Sequence, residues 1–191
     1  VKALGKTEID LLVGGPPCQG FSLTGPRDES DARNKLFYSM FQLAKRLDPN
    51  FIIIENVPGI ANLYGGRARK EILSEFEKLN YVAHEKLFYA PDYGIPQIRK
   101  RMFFVGVKKG YDFDFPTPTH DPQNYVTCEQ AIGDLPSFKS DLGSEISEYT
   151  SEAETTYQKQ MREGSNELFN HVGTKHTEHV ISVIQQVPEG G

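Results

Sequence analysis

The sequence predicts an α/β fold built on a mostly parallel, doubly wound β-sheet that ends in a β-hairpin. Three observations lead to this prediction. Short runs of β-branched and apolar residues alternate with segments in which apolar residues recur at helical spacing. Clusters of glycine and proline separate these runs, as expected of loops. Two strands joined by a helix are parallel and connected by a right-handed crossover, so this order predicts a sheet covered by helices.

The first two strands and the helix between them have the strongest patterns. Ile9–Val13 is an apolar run followed by two glycines, which predicts a short buried strand. From Leu36 to Leu47, apolar residues recur at helical spacing, and the pattern stops before Pro49 because proline cannot continue a helix. Residues 51–57, "FIIIENV", form a second β-branched run and predict the next strand.

The next elements complete the first half of the chain. Ile72, Phe76 and Leu79 predict a second amphipathic helix. Residues 81–89 and 101–107 are predicted as two further strands, which form the terminal hairpin. The loop between these strands is long enough to have a functional role.

The composition changes near residue 110. The chain has 191 residues, of which 38% are hydrophobic, so it can bury a sizeable core. We predict that residues 1–110 form one half of a catalytic domain. Residues 111–191 are predicted to be a linker and the beginning of a second, less regular region, with one short helix after Thr177.

Charge and cysteine content favour some classes of protein over others. Residues 1–109 carry 17 lysines and arginines against 12 aspartates and glutamates, whereas residues 110–191 carry 4 against 14, so a polyanionic partner would prefer the first half. No run approaches the roughly 20 apolar residues of a membrane span, and we expect a cytoplasmic protein without a membrane partner. Two cysteines without a CxxC pair make neither a disulfide framework nor a thiolate zinc site.

Three histidines near the end of the sequence raise the question of a metal site. His171, His176 and His179 have no acidic or thiolate fourth ligand at a suitable spacing. A solvated helix face is the better interpretation, and no metal is predicted.

One thiol and one carboxylate are predicted to meet at one edge of the sheet. Cys18 follows the first strand and Glu55 ends the second, and ligands of open α/β sheets bind beyond the carboxyl ends of parallel strands. A lone cysteine is often a small buried hydrophobic residue, but a Pro-Pro-Cys turn outside the strand is a poor place for burial. Glu55 follows four apolar residues, where desolvation of the carboxyl is expected.

The chemistry of this edge depends on the groups that accompany the cysteine. A phosphatase loop needs an arginine six positions after its cysteine, where this chain has Thr24. A thiol hydrolase needs a histidine as base, and none of the five histidines is an evident partner for Cys18. In an extended "QIRKR" segment, Gln97, Arg99 and Arg101 share one face. Thiolate attack on an electron-poor ring carbon needs a carboxylic acid that protonates the ring and cationic donors that hold a carbonyl oxygen. A solvated basic strand end is the alternative for these arginines.

These residues resemble the DNA cytosine-5 methyltransferase family. The resemblance rests on "GGPPCQGFS" at 14–22, "ENV" at 55–57 and "QIRKR" at 97–101, in this order and at these separations. It extends over residues 9–136, with weaker similarity at 171–191. The family resemblance implies a Rossmann-like methyltransferase sheet and an enzyme that acts on double-stranded DNA, as in restriction-modification systems.

The resemblance also implies roles for individual residues. Cys18 would add to C6 of a cytosine flipped out of the duplex, which lets C5 accept a methyl group from S-adenosylmethionine. Glu55 would hold N3 and the exocyclic amine, Arg101 would bind O2, and Gln97 and Arg99 would brace the site.

Further roles concern DNA and the methyl donor. The loop after the cysteine would close over DNA and contact phosphates through Gln19, Ser22 and Arg27. Pro17 and Leu36 are the residues that can be assigned as neighbours of S-adenosylmethionine.

The family's glycine-rich turn for the methyl donor has no counterpart before Ile9. We therefore expect this chain to be inactive alone, either as a piece of a full enzyme or with a complementing polypeptide that carries the missing segment. Two alternatives stay open: a methyltransferase of tRNA, and a catalytically silent nucleic-acid-binding fragment.

Overall fold

The computed structural model of the chain describes residues 8–17, 34–137 and 142–188. The first part of the chain contains β1 (Leu11–Gly14), α1 (Asn34–Leu47), β2 (Phe51–Asn56), α2 (Arg67–Lys78), β3 (Tyr81–Tyr89) and β4 (Lys100–Lys108). The second part contains α3 (Cys128–Ile132), β5 (Gly143–Glu148), α4 (Thr156–Met161), β6 (Glu167–Val172) and α5 (Glu178–Ile184).

The predicted α/β fold is confirmed, and so are the first four strands and the two long helices. Along the sheet the strand order is β1-β2-β4-β3. β1 and β2 are parallel, as their crossover helix requires, whereas β4 is antiparallel to both β2 and β3. β3 and β4 form the predicted hairpin, and β4 lies between β3 and β2. Among the described strands, the parallel part of the sheet is therefore the β1–β2 pair.

The core lies between one face of this sheet and the two crossover helices. Ile52 and Ile54 of β2 are fully buried, together with Phe104 of β4 and Phe76 of α2. Gly106 of β4 lies directly under the Phe76 ring, because a Cβ at this position would be 2.3 Å from Phe76 Cδ1. A glycine in this strand therefore lets α2 approach the sheet closely.

An extended aromatic segment packs against the opposite face of the sheet. Tyr111, Phe113 and Phe115 alternate with two aspartates. Their rings contact those of Phe51, His84 and Phe88, respectively, with ring centroids 5.3–5.5 Å apart. Alternate residues of an extended chain point to one side, which explains why every second residue reaches the sheet.

This packing extends the first compact unit beyond the predicted boundary at residue 110. The chain divides into two compact units, Val1–Tyr125 and Val126–Gly191. Sequence reasoning assigned residues 111–125 to the linker because they are rich in turn-forming residues, whereas their aromatic side chains attach them to the sheet.

The second unit has a small framework of its own. β5 and β6 form a two-stranded antiparallel sheet, and the predicted short helix after Thr177 is present as α5. Asp134, which is buried, pairs with the Arg162 guanidinium, which in turn lies 3.7 Å from the centre of the Tyr149 ring. None of the helices within the described ranges has the length and apolar character needed to cross a membrane.

The contact between Gly106 and Phe76 generates a stability prediction. Gly106→Ala should lower the free energy of unfolding by about 1–3 kcal/mol, because its methyl group overlaps a fully buried ring. Denaturant unfolding measures the change. Gly59→Ala is the matched control, since its Cβ would meet no atom within 4 Å, and it should leave stability unchanged or raise it by up to about 1 kcal/mol. Equal effects of the two substitutions would contradict the close approach of α2.

Candidate active site

Glu55 is the penultimate residue of β2 and lies on the face opposite the helical core. Burial alternates along this strand, so Ile54 and Asn56 face the core whereas Ile53 and Glu55 face away from it. The Glu55 side chain is 34% exposed. The Glu55 carboxylate therefore lies outside the helical core, on the same face of β2 as Ile53.

Two arginines approach this carboxylate from the hairpin. Arg101 Nε lies 2.7 Å from Glu55 Oε1, and an Arg99 terminal nitrogen lies 4.0 Å from the same oxygen. Glu55 is paired with Phe103 across the β2–β4 ladder, and Arg101, two residues earlier, shares its face. The structure therefore brings together Glu55, Arg99 and Arg101, to which the family resemblance assigns roles at one site.

The surroundings of Glu55 differ from the sequence expectation in one respect. The apolar run before it predicted a desolvated carboxyl, whereas the side chain is one-third exposed and ion-paired with Arg101. The reason is the antiparallel neighbour: β4 places a guanidinium where the β2 sequence alone indicated apolar surroundings.

Among the described residues, Gln97 makes no hydrogen bond to the cluster formed by Glu55, Arg99 and Arg101. It precedes the start of β4, is exposed, and its backbone N–H donates to the Ile95 carbonyl at 2.8 Å. The prediction of three residues on one extended face holds for the two arginines, because the chain becomes a regular strand at Lys100 and Gln97 still belongs to the preceding turn.

Asn56 holds the segment that follows β1 in place next to the Glu55 carboxylate. This asparagine is buried, with 4% of its surface exposed, and its Nδ2 donates to the Pro16 carbonyl at 3.1 Å. Its Oδ1 accepts from the Val57 N–H at 2.9 Å. A Cβ at Gly15 would lie 3.3 Å from Glu55 Oε2, so the backbone passes close to Glu55.

Asn56 was missed as a functional residue by sequence reasoning. The available signal was a polar amide directly after an apolar run in "IIIEN", since a buried amide requires hydrogen-bond partners. Because Asn56 bonds to the Pro16 carbonyl, the segment that leads to Cys18 begins next to Glu55.

Several predicted residues lie outside the described part of the chain. These are Cys18, Gln19, Ser22 and Arg27. Pro17 is the last described residue before them and is exposed, and Leu36 at the beginning of α1 is 52% exposed.

A cavity of about 520 Å³ adjoins the charged cluster. Glu55, Arg99 and Arg101 are the charged residues of its lining. Its other walls are mainly apolar and aromatic and include Ile53, Phe88, Phe103, Val105, Phe113 and Phe115. This volume falls in the range of small-molecule pockets, and a planar ring could contact apolar walls while its polar edge faces the cluster.

The histidines considered at the sequence level have other surroundings. His171 lies on β6 with Nε2 2.7 Å from the Pro136 carbonyl, and His179 lies on α5. Within the described ranges, no group of three or more His, Cys, Asp or Glu residues is arranged to hold a metal ion.

Comparison with known proteins identifies similar sequences over most of the chain. A family model described as C-5 cytosine-specific DNA methylase matches residues 1–188. The type II methyltransferase M.DdeI of Desulfomicrobium norvegicum is 36% identical over 182 residues, covering 92% of this chain and 44% of that protein. M.AgeI of Thalassovita gelatinovora, also a type II methyltransferase, is 34% identical over 188 residues, covering 86% of this chain and 44% of that protein. The chain therefore spans less than half the length of these two relatives.

A solved structure gives a similar result. The crystal structure of a DNA modification methyltransferase encoded within a prophage (E. coli) superposes with a TM-score of 0.66 at 28% sequence identity. The match covers 96% of this chain and 51% of that one.

The buried amide of Asn56 generates a prediction about the site's framework. Asn56→Ala leaves the Pro16 carbonyl and the Val57 N–H without their partner and should lower the free energy of unfolding by about 1–3 kcal/mol. Asn50→Ala is the control, because its amide bonds to Asp10 in an exposed position, and it should cost about 0.5 kcal/mol or less. Denaturant unfolding of both variants tests this, and a cost at Asn50 equal to that at Asn56 would contradict the structural role.

Proposed function

The chain belongs to the C-5 cytosine-specific DNA methylase family, and on this premise we propose that it carries the catalytic residues of a DNA cytosine-5 methyltransferase. The proposed substrate is double-stranded DNA, and the proposed product is 5-methylcytosine. Because the relatives are type II methyltransferases, a restriction-modification context is proposed as well, with the protein acting on DNA in the cytoplasm.

One observation carries the proposal: Glu55 is held between Arg101 and the backbone of the segment that leads to Cys18. Arg101 Nε is 2.7 Å from Glu55 Oε1, and Gly15 lies against Oε2. A carboxyl group and guanidinium donors beside an apolar cavity can read the polar edge of a pyrimidine. This arrangement lies at the carboxyl edge of β1 and β2, where ligands of α/β sheets bind.

The proposed chemistry begins with the cysteine. The Cys18 thiolate adds to C6 of the flipped cytosine and forms a carbon–sulfur bond, while the electron pair of the C5–C6 double bond moves to C5. C5 would then form a bond to the methyl carbon, while the carbon–sulfur bond of the methyl donor breaks and its electron pair leaves with the sulfur. A base removes the C5 proton, the C5–C6 double bond forms again, and Cys18 leaves as a thiolate.

Glu55 and Arg101 are proposed to stabilise the ring during the addition. Glu55 holds N3 and the exocyclic amine; in its protonated form it supplies a proton to N3 as electrons move into the ring, and it takes this proton back when Cys18 leaves. Arg101 donates to O2, where negative charge develops. Since Arg101 is paired with Glu55, entry of the base would exchange part of this contact for contacts with the cytosine.

S-adenosylmethionine is proposed as the methyl donor, and it supplies an electrophilic methyl group bound to a sulfonium. The exposed Leu36 side chain at the beginning of α1 and the exposed Pro17 fit one apolar wall of its site. A glycine-rich turn and an acidic ribose partner, which an α/β cofactor site uses, are not assigned to this chain. We therefore propose that donor binding and turnover need a segment additional to these 191 residues, within the same protein or on a complementing polypeptide.

DNA contacts are proposed for Gln19, Ser22 and Arg27 in the loop after Cys18, with Gln97 and Arg99 supporting this loop. Arginine and hydroxyl contacts to phosphates would position the duplex without reading its sequence.

The covalent step predicts a specific trapping reaction. With S-adenosylmethionine, the full-length protein should form a denaturation-resistant adduct with a duplex that contains a C6-reactive, C5-blocked cytosine analogue, and Cys18→Ser should abolish it. Denaturing gels detect the adduct. Cys128→Ser removes the exposed cysteine of α3 and should trap as the unaltered protein does. Equal trapping by Cys18→Ser would rule out the assignment of Cys18.

The proposed acid role predicts a kinetic defect. Glu55→Gln in the full-length protein should slow methyl transfer in a single turnover by about 100-fold or more, while duplex affinity changes little. Glu85→Gln is a matched control, because Glu85 is also a strand carboxylate paired with an arginine, Arg69. It should methylate at the unaltered rate. A normal single-turnover rate for Glu55→Gln would make Glu55 a structural residue.

A further inference from the structure

The turn between β3 and β4 carries Arg99 and is closed by its own backbone. The Ala90 N–H donates to the Arg99 carbonyl at 2.8 Å, which joins the two ends of the turn. Within it, the Gly94 N–H donates to the Pro91 carbonyl and the Ile95 N–H to the Ala90 carbonyl, at 3.0 and 3.3 Å. The position of Arg99 therefore follows the position of the whole turn.

Arg99 depends on this turn more than Arg101 does. Arg101 lies within β4, and its side chain is anchored by Glu55 at 2.7 Å and by the Lys100 carbonyl at 2.8 Å. Arg99 precedes β4, its side chain is 47% exposed, and it approaches Glu55 only to 4.0 Å. Because this side-chain contact is long and weak, the reach of the Arg99 guanidinium towards Glu55 depends on where the turn places the Arg99 backbone.

A second segment of the chain holds the turn in place. The Asp92 carbonyl accepts from the Thr119 N–H at 2.9 Å and from the His120 N–H at 3.0 Å. The Tyr93 hydroxyl donates to the Pro116 carbonyl at 3.1 Å. Residues 116–125 are thus bonded to the same short stretch of the turn by main chain and side chain.

The Asp92 carboxylate makes the shortest of these contacts. Tyr125 Oη donates to Asp92 Oδ1 at 2.5 Å, in the range of charge-assisted O–H···O⁻ hydrogen bonds. The hydrogen bond to Asp92, with desolvation and the negative charge of Asp92, raises the pKa of Tyr125 to about 12. The phenol therefore keeps its proton and remains a donor throughout the neutral pH range.

Gly94 lets the two segments come close together. Its φ of +74° is in the left-handed region that favours glycine, and a Cβ there would be 2.7 Å from His120 Cε1. The His120 ring occupies the space that a side chain would need. The backbone conformation of Gly94 and the position of the His120 ring therefore both allow the turn to pack closely against residues 116–125.

We propose that Asp92 and Tyr125 are positioning residues for catalysis, because their hydrogen bond locks the 90–99 turn against residues 116–125 and so fixes Arg99 beside Glu55. This inference rests on the proposed function for its catalytic consequence. Neither residue reaches Glu55 in the described structure, and both act through the turn. The lock also gives residues 111–125 a role, although sequence reasoning had assigned them to a linker.

Hydrogen exchange in the full-length protein tests the lock itself. Tyr125→Phe and Asp92→Ala should raise the exchange rates of the Gly94, Ile95 and Gln97 amides by about 10-fold or more, since local opening loses one strong restraint. Asp92→Asn keeps an oxygen acceptor and should show a smaller increase. Tyr111→Phe is the matched control, because the Tyr111 ring packs on Phe51 and its hydroxyl makes no hydrogen bond within the described residues. Unchanged exchange in Tyr125→Phe would overturn the lock.

Single-turnover methylation tests the positioning role. Tyr125→Phe should lower the rate by about 10-fold or more with unchanged duplex affinity, because small misplacements of a binding group are costly. In a double-mutant cycle, this loss should largely disappear in an Arg99→Ala background and persist in an Arg101→Ala background. Asp92→Asn should retain more activity than Asp92→Ala, and Tyr111→Phe should be unaffected.

The outcomes separate this inference from the proposed function. Faster exchange with a normal methylation rate in Tyr125→Phe, or full additivity with Arg99→Ala, would overturn the positioning role. Absence of methylation by the unaltered full-length protein would refute the proposed function, and the exchange rates would then decide the lock independently.

Discussion

The pairing of β4 with β2 is the constraint on which the rest of the site depends. β4 runs antiparallel to β3 and lies between β3 and β2. Glu55, near the end of β2, therefore lies beside β4 residues that follow it in sequence by more than forty positions. This register places Arg101 2.7 Å from Glu55. If β4 paired one residue out of register, every side chain would change face and the guanidinium would point into the helical core.

The two faces of the sheet differ in what covers them. One face is packed by α1 and α2, whose buried side chains determine the position of β2 and hence of Glu55. The other face carries the charged cluster and a mainly apolar cavity, and it is partly covered by Tyr111, Phe113 and Phe115. A packed core behind the strand and an accessible surface in front of it suit the proposed site, which would hold catalytic groups and admit a base.

Three structural restraints hold the residues of the site in place. Asn56 ties the segment after β1 to the end of β2, the β2–β4 ladder sets Arg101, and the Asp92–Tyr125 hydrogen bond restrains the turn that carries Arg99. Each joins residues that are distant in sequence. If the proposed function holds, such preorganisation means that the donors need little rearrangement when charge develops on the substrate.

The sequence by itself determined the four strands of the first sheet, the two long helices and the family, and through the family resemblance it gave Glu55, Arg99 and Arg101 roles at one site. It could do so because periodicity, proline stops and strand-end motifs are local signals. The tertiary structure decided the exposure and ion pairing of Glu55, the Asn56–Pro16 bond, the packing of residues 111–116, and the Asp92–Tyr125 contact. Each of these depends on which side chains from separate segments become neighbours, and this is set by strand order and register, which no single stretch of sequence encodes.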